Sequence, residues 1–182
     1  TGEDDVRGTI RIDESNPLVG VFTTLHEGGH ALYEQGFGSE LHGTLLAEGP
    51  GMGIHESQSR LWENQLGRSR GFWQHLMPRL REAFPQSLGA HDAESAYRSV
   101  NTVRPGLCRV EADEVTYDLH IMMRYELELA LLSGDLLVED LPQAWSDASQ
   151  RLLGVRPNGA REGCLQDVHW AAGLVGYFPT YA

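Results

Sequence analysis

The stretch TTLHEGGHALYEQG, residues 23–36, places two histidines four positions apart with a glutamate directly after the first. Residues four apart on a helix share a face, so His26 and His30 can offer two imidazole nitrogens to one metal ion. Glu27 is turned aside from that axis, where a carboxylate can take a proton from a water activated by the metal. The metal lowers that water's pKa from about 15.7 to around 7, which makes a carboxylate a competent base at neutral pH. The competing reading is two surface histidines on an ordinary amphipathic helix. Gly28 and Gly29 argue against it. Each glycine inside a helix costs about 1 kcal/mol relative to alanine, and close approach of a substrate or of another backbone is the usual compensation.

The flanking sequence sets the limits of this helix. Asn16 reads as an N-cap and Pro17 as the first helical residue, where a missing N–H costs nothing. The pattern predicts a helix over residues 17–35 with Gly36 as a left-handed stop. A glycine-rich connection over residues 48–53 leads to a second helix over 55–66, ended by Gly67. Helical patterns recur over 69–83, 92–100, 112–132, 142–153 and 161–170. Residues 6–12 read as a short strand, able to pair with a second over 103–110 that Pro105 and Gly106 interrupt.

A catalytic zinc needs a third protein ligand. The metzincin pattern requires glycine at position 33 and histidine at 36, but these are Tyr33 and Gly36, which excludes that class. The gluzincin alternative takes a glutamate from a later helix, and Glu34, Glu40, Glu48 and Glu56 are the nearby candidates. Glu34 shares the histidines' own helix and is poorly placed to close the coordination sphere. Glu56 opens a new helix after a flexible turn and is the choice, although a carboxylate there also suits the helix dipole. The expected fold is therefore mostly α, a zincin or gluzincin-like helical metallopeptidase with a minor β element.

Composition is consistent with that class. The chain has 182 residues, 41% hydrophobic and 22% charged, enough for one domain with its own core. A net charge of −12 argues against nucleic acid or an anionic membrane surface as partner. No apolar run approaches the roughly 20 residues that span a bilayer. Cys108 and Cys164 belong to no CxxC pair and read as buried free thiols, which makes a reducing cytoplasm the expected compartment. The opening TGEDDVRG has no initiator Met and no targeting pattern, so residues 1–182 read as a single catalytic part of something longer.

Together these segments resemble the thermostable (Taq-type) metallocarboxypeptidases, which remove C-terminal amino acids using one bound zinc or cobalt. The matching blocks are DVRGT (5–9), HEGGH (26–30), HES with a following arginine (His55, Glu56, Ser57, Arg60), RVEAD (109–113) and GCLQDVHW (163–170). They occur in family order and span nearly the whole chain. The resemblance implies His26, His30 and Glu56 as metal ligands, Glu27 as general base, and Zn2+, with Co2+ as the alternative, as the cofactor. It also implies peptide substrates with a free C-terminus and a possible homodimer. Family members are longer at both ends, so the chain resembles a catalytic centre lacking part of its enclosure.

A carboxypeptidase must neutralise its substrate's terminal carboxylate, a task suited to an arginine fork. Arg109 is the first candidate and Arg7 the second, against the plain alternative that each pairs with an aspartate of its own motif, Asp113 or Asp5. Hydrolysis also needs a donor aimed at the developing oxyanion. Gln166, His169, Tyr177 and Tyr181 can supply one, and analogy with other gluzincins favours His169 with Tyr177 or Tyr181. Trp170 reads as core. Asp113 and Asp167 read either as partners that orient the ligand histidines or as helix caps. The leading expectation is a metallocarboxypeptidase; the alternative is a non-catalytic metal-binding or assembly fragment.

Overall fold

The computed structural model describes residues 5–10, 12 and 16–182. They form two compact units, one running to Asn101 and the other covering Thr102–Ala182. Both are built from helices and short 3-10 turns, and no strand occurs among the described residues. No helix among them is long and apolar enough to cross a membrane.

In the first unit α1 spans Pro17–Glu34 and α2 spans Met52–Arg60, running directly into a π-helical turn, Leu61–Leu66. Helices α3 (Arg70–Ala83), α4 (Pro85–Leu88) and α5 (Ala93–Val100) follow. Local chemistry sets their starts. The Ser69 hydroxyl accepts from the Phe72 N–H, and Asp92 and Ser95 form a reciprocal capping box. The core is Trp73, Met77 and Val100, with Leu18 and Phe22 packed against it. Trp73 lies buried with its indole N–H donating to the Gly67 carbonyl at 3.0 Å, so its one polar group is satisfied. This packing fixes the start of α1 and leaves its second half, with HEGGH, to meet α2.

The second unit pairs α6 (Glu114–Ser133) with α7 (Leu141–Leu153) around Met123, Leu127, Trp145 and Ala148. A second cluster, Tyr117, Ile121 and Phe178, seats the C-terminal 3-10 turn Phe178–Tyr181 on α6. Left-handed glycines end both helices, Gly134 at φ 82° and Gly154 at φ 73°, a conformation open to glycine without a Cβ penalty.

Several expectations are corrected. Residues 6–10 and 12 are irregular, and Arg11 lies outside the described residues, so the first expected strand is not formed at the positions seen. Residues 103–108 are irregular too, followed by a 3-10 turn, Arg109–Glu111. The reason is that side chains take this segment's backbone donors. The Arg104 N–H donates to Asp113 Oδ2 at 3.0 Å and the Arg109 N–H to Gln166 Oε1 at 3.1 Å, and Pro105 has no N–H to give. The helix expected over 161–170 is a series of turns. There the Gln166 amide donates to the Glu162 and Gly163 carbonyls at 3.0 and 3.2 Å, taking acceptors that a helix would use. Gly36 is not left-handed; α1 ends at Glu34, and the positive φ angles between α1 and α2 belong to Gly43 at 77° and Gly51 at 156°.

Candidate metal centre

His26 and His30 project from one face of α1 toward Glu56 of α2. His26 Nε2 lies 3.6 Å from Glu56 Oε1, and His30 Nε2 lies 3.3 Å from Glu56 Oε2. One ligand atom from each of the three residues falls within 4.8 Å of the other two. A tetrahedral site with bonds of about 2.0–2.1 Å spaces its ligand atoms roughly 3.3 Å apart, so the two histidine–glutamate separations suit one small divalent ion. The donor set of two imidazoles and one carboxylate matches a catalytic rather than a closed structural site. Glu56 is 5% exposed, and among the described residues no arginine is seen bonded to it, which also fits a cation between the three groups.

The helix packing explains how Glu56 gets there. A Cβ on Gly29 would stand 2.6 Å from Ser59 Cα and 2.8 Å from the Gln58 carbonyl oxygen. Only glycine allows α1 and α2 to approach this closely, and the contact lies between the two histidines in sequence. Another backbone therefore accounts for Gly29. Gly28 differs, since a Cβ there would meet nothing within 4 Å. On the α2 side Glu56, Ser59 and Glu63 follow the i, i+3, i+7 spacing of one helical face. Ser59 is fully buried at the contact, its hydroxyl donating to the Glu56 carbonyl at 2.7 Å.

Both ring nitrogens facing away from Glu56 have partners. His26 Nδ1 is 2.9 Å from Glu63 Oε2, and His30 Nδ1 is 2.6 Å from His55 Nδ1. His55 Nε2 in turn lies 2.5 Å from Glu34 Oε1. Glu63 sits in the π-helical turn, a feature that recurs at functional sites because it re-aims side chains within a helix. Burial opposes charge on His26, but its hydrogen bond to Glu63 and the carboxylates of Glu56, Glu63 and Glu27 outweigh this and raise its pKa above 6.5. Burial and then the neighbouring His26 and His55 lower that of His30. Burial alone would raise the Glu63 pKa, yet the hydrogen bond from His26 and the charge of Arg60 hold it below the usual value.

Glu27 is half-buried, and the DVRGT segment runs beside it: a Cβ on Gly8 would lie 3.5 Å from the Glu27 Cβ. Arg7 in that segment pairs with Asp5, Nη2 to Oδ2 at 2.7 Å, while its side chain stays 75% exposed.

The remaining predicted residues belong to the second unit. Arg109 is buried, and its Nε and Nη2 donate to Asp167 Oδ1 at 3.1 and 2.8 Å while Nη1 donates to the Tyr117 hydroxyl at 2.9 Å. Asp167 also receives Arg124, whose Nε lies 2.7 Å from Oδ2 and whose side chain is 0% exposed. Burial works against the Asp167 charge, but Arg124 and Arg109 hold its pKa below 3.8. Asp113 caps α6, accepting from the Val115 and Thr116 N–H groups. Gln166 ties the Leu107 carbonyl and the Arg109 N–H together through its two amide ends. His169 Nε2 is 2.9 Å from the Tyr181 hydroxyl, and the Tyr177 ring lies against the His169 ring with centroids 5.4 Å apart. Burial and the Arg109 charge lower the His169 pKa. Trp170 packs against the unit's core and donates its indole N–H to Glu128 at 2.7 Å. Sequence reasoning missed Glu63, the His55–Glu34 pair and Arg124; only the seven-residue spacing from Glu56 to Glu63 was there to be read.

Comparison with known proteins agrees with this geometry. Thermostable carboxypeptidase 1 of Thermus thermophilus is 56% identical over 180 residues, covering 99% of this chain and 35% of the relative. Carboxypeptidase 1 of Bacillus subtilis is 48% identical, covering 98% of this chain and 36% of its own length. Among solved structures, an M32 carboxypeptidase from Deinococcus radiodurans R1 superposes with a TM-score of 0.95 at 49% identity, over 99% of this chain and 36% of that one. The Trypanosoma cruzi metallocarboxypeptidase 1 gives 0.92 at 40% identity, over 99% of this chain and 38% of that one. The chain thus spans about a third of the length of these relatives. Residues 1–182 match a single family along their whole length, and the chain belongs to it: the Carboxypeptidase Taq (M32) metallopeptidases.

Proposed function

We propose that this protein carries the catalytic centre of a metallocarboxypeptidase, which hydrolyses the last peptide bond of peptides bearing a free C-terminus. The observation that carries the reading is the Glu56 carboxylate facing both histidine Nε2 atoms at 3.6 and 3.3 Å, in a chain that matches the metallopeptidase family throughout. His26, His30 and Glu56 hold a divalent ion, zinc first and cobalt second. When bound, such an ion polarises the scissile carbonyl and acidifies a water molecule. Glu27 accepts the proton of the attacking water and returns it to the leaving amine. His169, with Tyr177 or Tyr181, offers a donor to the oxyanion; the contact between His169 and Tyr181 supports reading the two as a pair.

For the terminal carboxylate, accessibility favours Arg7. Its exposed guanidinium can exchange Asp5 for substrate, whereas Arg109 is already committed to Asp167 and Tyr117 inside the second unit. Gln166 supports the Arg109 backbone in the same network. Nucleic acid and membrane have no place in this reading, and the net charge of −12 suits neither. The free thiols of Cys108 and Cys164 suit the cytoplasm. A homodimer belongs to the reading only through the family likeness.

The test uses an N-blocked dipeptide, with its C-terminal amide as control and Glu27→Gln beside the parent. Release of the terminal amino acid from the free acid by the parent alone supports the reading. Equal cleavage of the amide would make the protein an endopeptidase. One observation favours a second reading: the chain spans about a third of its relatives. Zinc bound without any hydrolysis would point to a metal-binding or assembly piece.

A further inference from the structure

The centre is held from behind by two chains of hydrogen bonds of different build. Glu63 reaches His26 directly, Oε2 to Nδ1 at 2.9 Å, while Glu34 reaches His30 through a second imidazole, with links of 2.5 and 2.6 Å. An imidazole nitrogen that binds a cation carries no proton, so a neutral ring that gives Nε2 to the ion must be protonated at Nδ1. That proton on His26 points at the Glu63 carboxylate. That proton on His30 points at His55 Nδ1, which accepts it only when His55 is itself protonated at Nε2. His55 Nε2–H then donates to Glu34. Every link requires the next, and both chains end on a carboxylate. With both Nε2 atoms left free of protons for a cation, no other assignment of neutral imidazoles satisfies each of these contacts.

We infer that Glu63 and the His55–Glu34 pair are positioning residues, which set the tautomer and ring angle of His26 and His30 and so the metal affinity of the centre. The need for them comes from α1 itself. Gly28 and Gly29 sit between the two ligands and give the helix no side-chain packing there, so the rings are fixed from α2 and from the far end of α1. The π-helical turn carries Glu63 to the same helical face as Glu56, seven residues on, so that α2 supplies a ligand to the front of His26 and a buttress to its back. His55 precedes Glu56 and plays the matching part for His30, with the Tyr33 ring nearly perpendicular to it at a centroid distance of 5.0 Å. The direct branch is the less exposed: the Glu63 side chain is 18% accessible against 41% for Glu34.

The inference rests on the metal reading above, and the experiment separates the two. Zinc affinity of the intact chain is measured by competition with a chromogenic chelator, for the parent and for Glu63→Ala, Glu34→Ala, Glu63→Gln and Glu56→Gln. Circular dichroism checks folding, and long-range 1H–15N correlations of the imidazole rings report their tautomers. Removing a carboxylate behind a ligand histidine is expected to weaken zinc about 10- to 100-fold, more for Glu63→Ala than for Glu34→Ala, with the Nδ1–H signature lost at His26 or at His30 respectively. Glu63→Gln keeps its size and one acceptor oxygen and should lose less. If Glu63→Ala does not fold, Glu63→Gln decides: a loss of roughly threefold or more supports the inference, since a neutral acceptor bonds about half as strongly as a charged one. Parent-like zinc affinity and parent-like tautomers in the folded Glu63 and Glu34 variants, with Glu56→Gln unable to bind, would overturn it and leave the metal reading standing. Parent-like binding by Glu56→Gln would overturn the metal reading and this inference together.

Discussion

The metal centre of the first unit and the arginine–aspartate cluster of the second are both groups of buried or half-buried charge, but they are balanced in opposite ways. In the cluster, the Asp167 carboxylate takes one guanidinium on each oxygen, and both arginines are almost fully enclosed. In the centre, two imidazole nitrogens and a carboxylate point at a common space, and their outward-facing atoms are the ones already bonded. The cluster pairs its charges among its own members, as a structural element does. The centre's donor atoms converge on a space that suits one cation. The difference teaches which arrangement of charge to call a site: convergence on shared space rather than burial or number of ionisable groups.

If the cluster is architectural, breaking it should cost stability on the scale of a buried ion pair. Asp167→Ala leaves two arginines enclosed without their carboxylate, and the expected loss is about 3–5 kcal/mol, read by urea denaturation. A loss below 1 kcal/mol would break the contrast. The metal-free stability of Glu56→Gln should change far less, because that change does not remove a carboxylate shared by two buried arginines.

The paired glycines sharpen the comparison inside the first unit. Gly29→Ala drives a Cβ to 2.6 Å from the Ser59 backbone, where no flexible side chain can yield. The expected cost is about 1–3 kcal/mol, and zinc affinity should fall with it as Glu56 is pushed away. Gly28→Ala meets nothing within 4 Å and should stabilise α1 by up to about 1 kcal/mol. Thermal melts of both variants, with and without zinc, check the pair.

A pH slope in stability is expected in the second unit. Burial, then the charges of Arg124 and Arg109, push the His120 pKa down to about 4 from 6.5. The unfolded chain therefore binds a proton that the folded chain refuses between those values. The stability this group contributes is complete above pH 6.5 and is lost as pH falls toward 4. Replacing His120 with Gln should flatten the melting temperature across that window; an unchanged slope would assign it to other groups.

What the sequence made legible depended on the range of the interaction. HEGGH, the helix that bears it and the choice of Glu56 rest on spacings of one or four residues and on a turn of glycines, all visible locally. The expected strands were misread because Asp113 and Gln166 capture the backbone N–H groups of Arg104 and Arg109, and nothing in the strand pattern announces that. Arg109 pairs with Asp167, 58 residues away, rather than with Asp113 of its own motif, and Arg124 joins it from 43 residues away. Glu34, set aside as a ligand because it shares the histidines' helix, turned up behind His55 instead. Such pairings need the helices placed before they can be seen.

The central claim is that His26, His30 and Glu56 converge to bind one metal ion. Zinc-edge X-ray absorption on the loaded chain tests it most directly, with Glu56→Gln alongside. One zinc per chain is expected, with two imidazole nitrogens and oxygen at about 2.0–2.1 Å, and loss of that shell in the variant. A zinc shell with sulfur from Cys108 or Cys164, or one unchanged by Glu56→Gln, would contradict it.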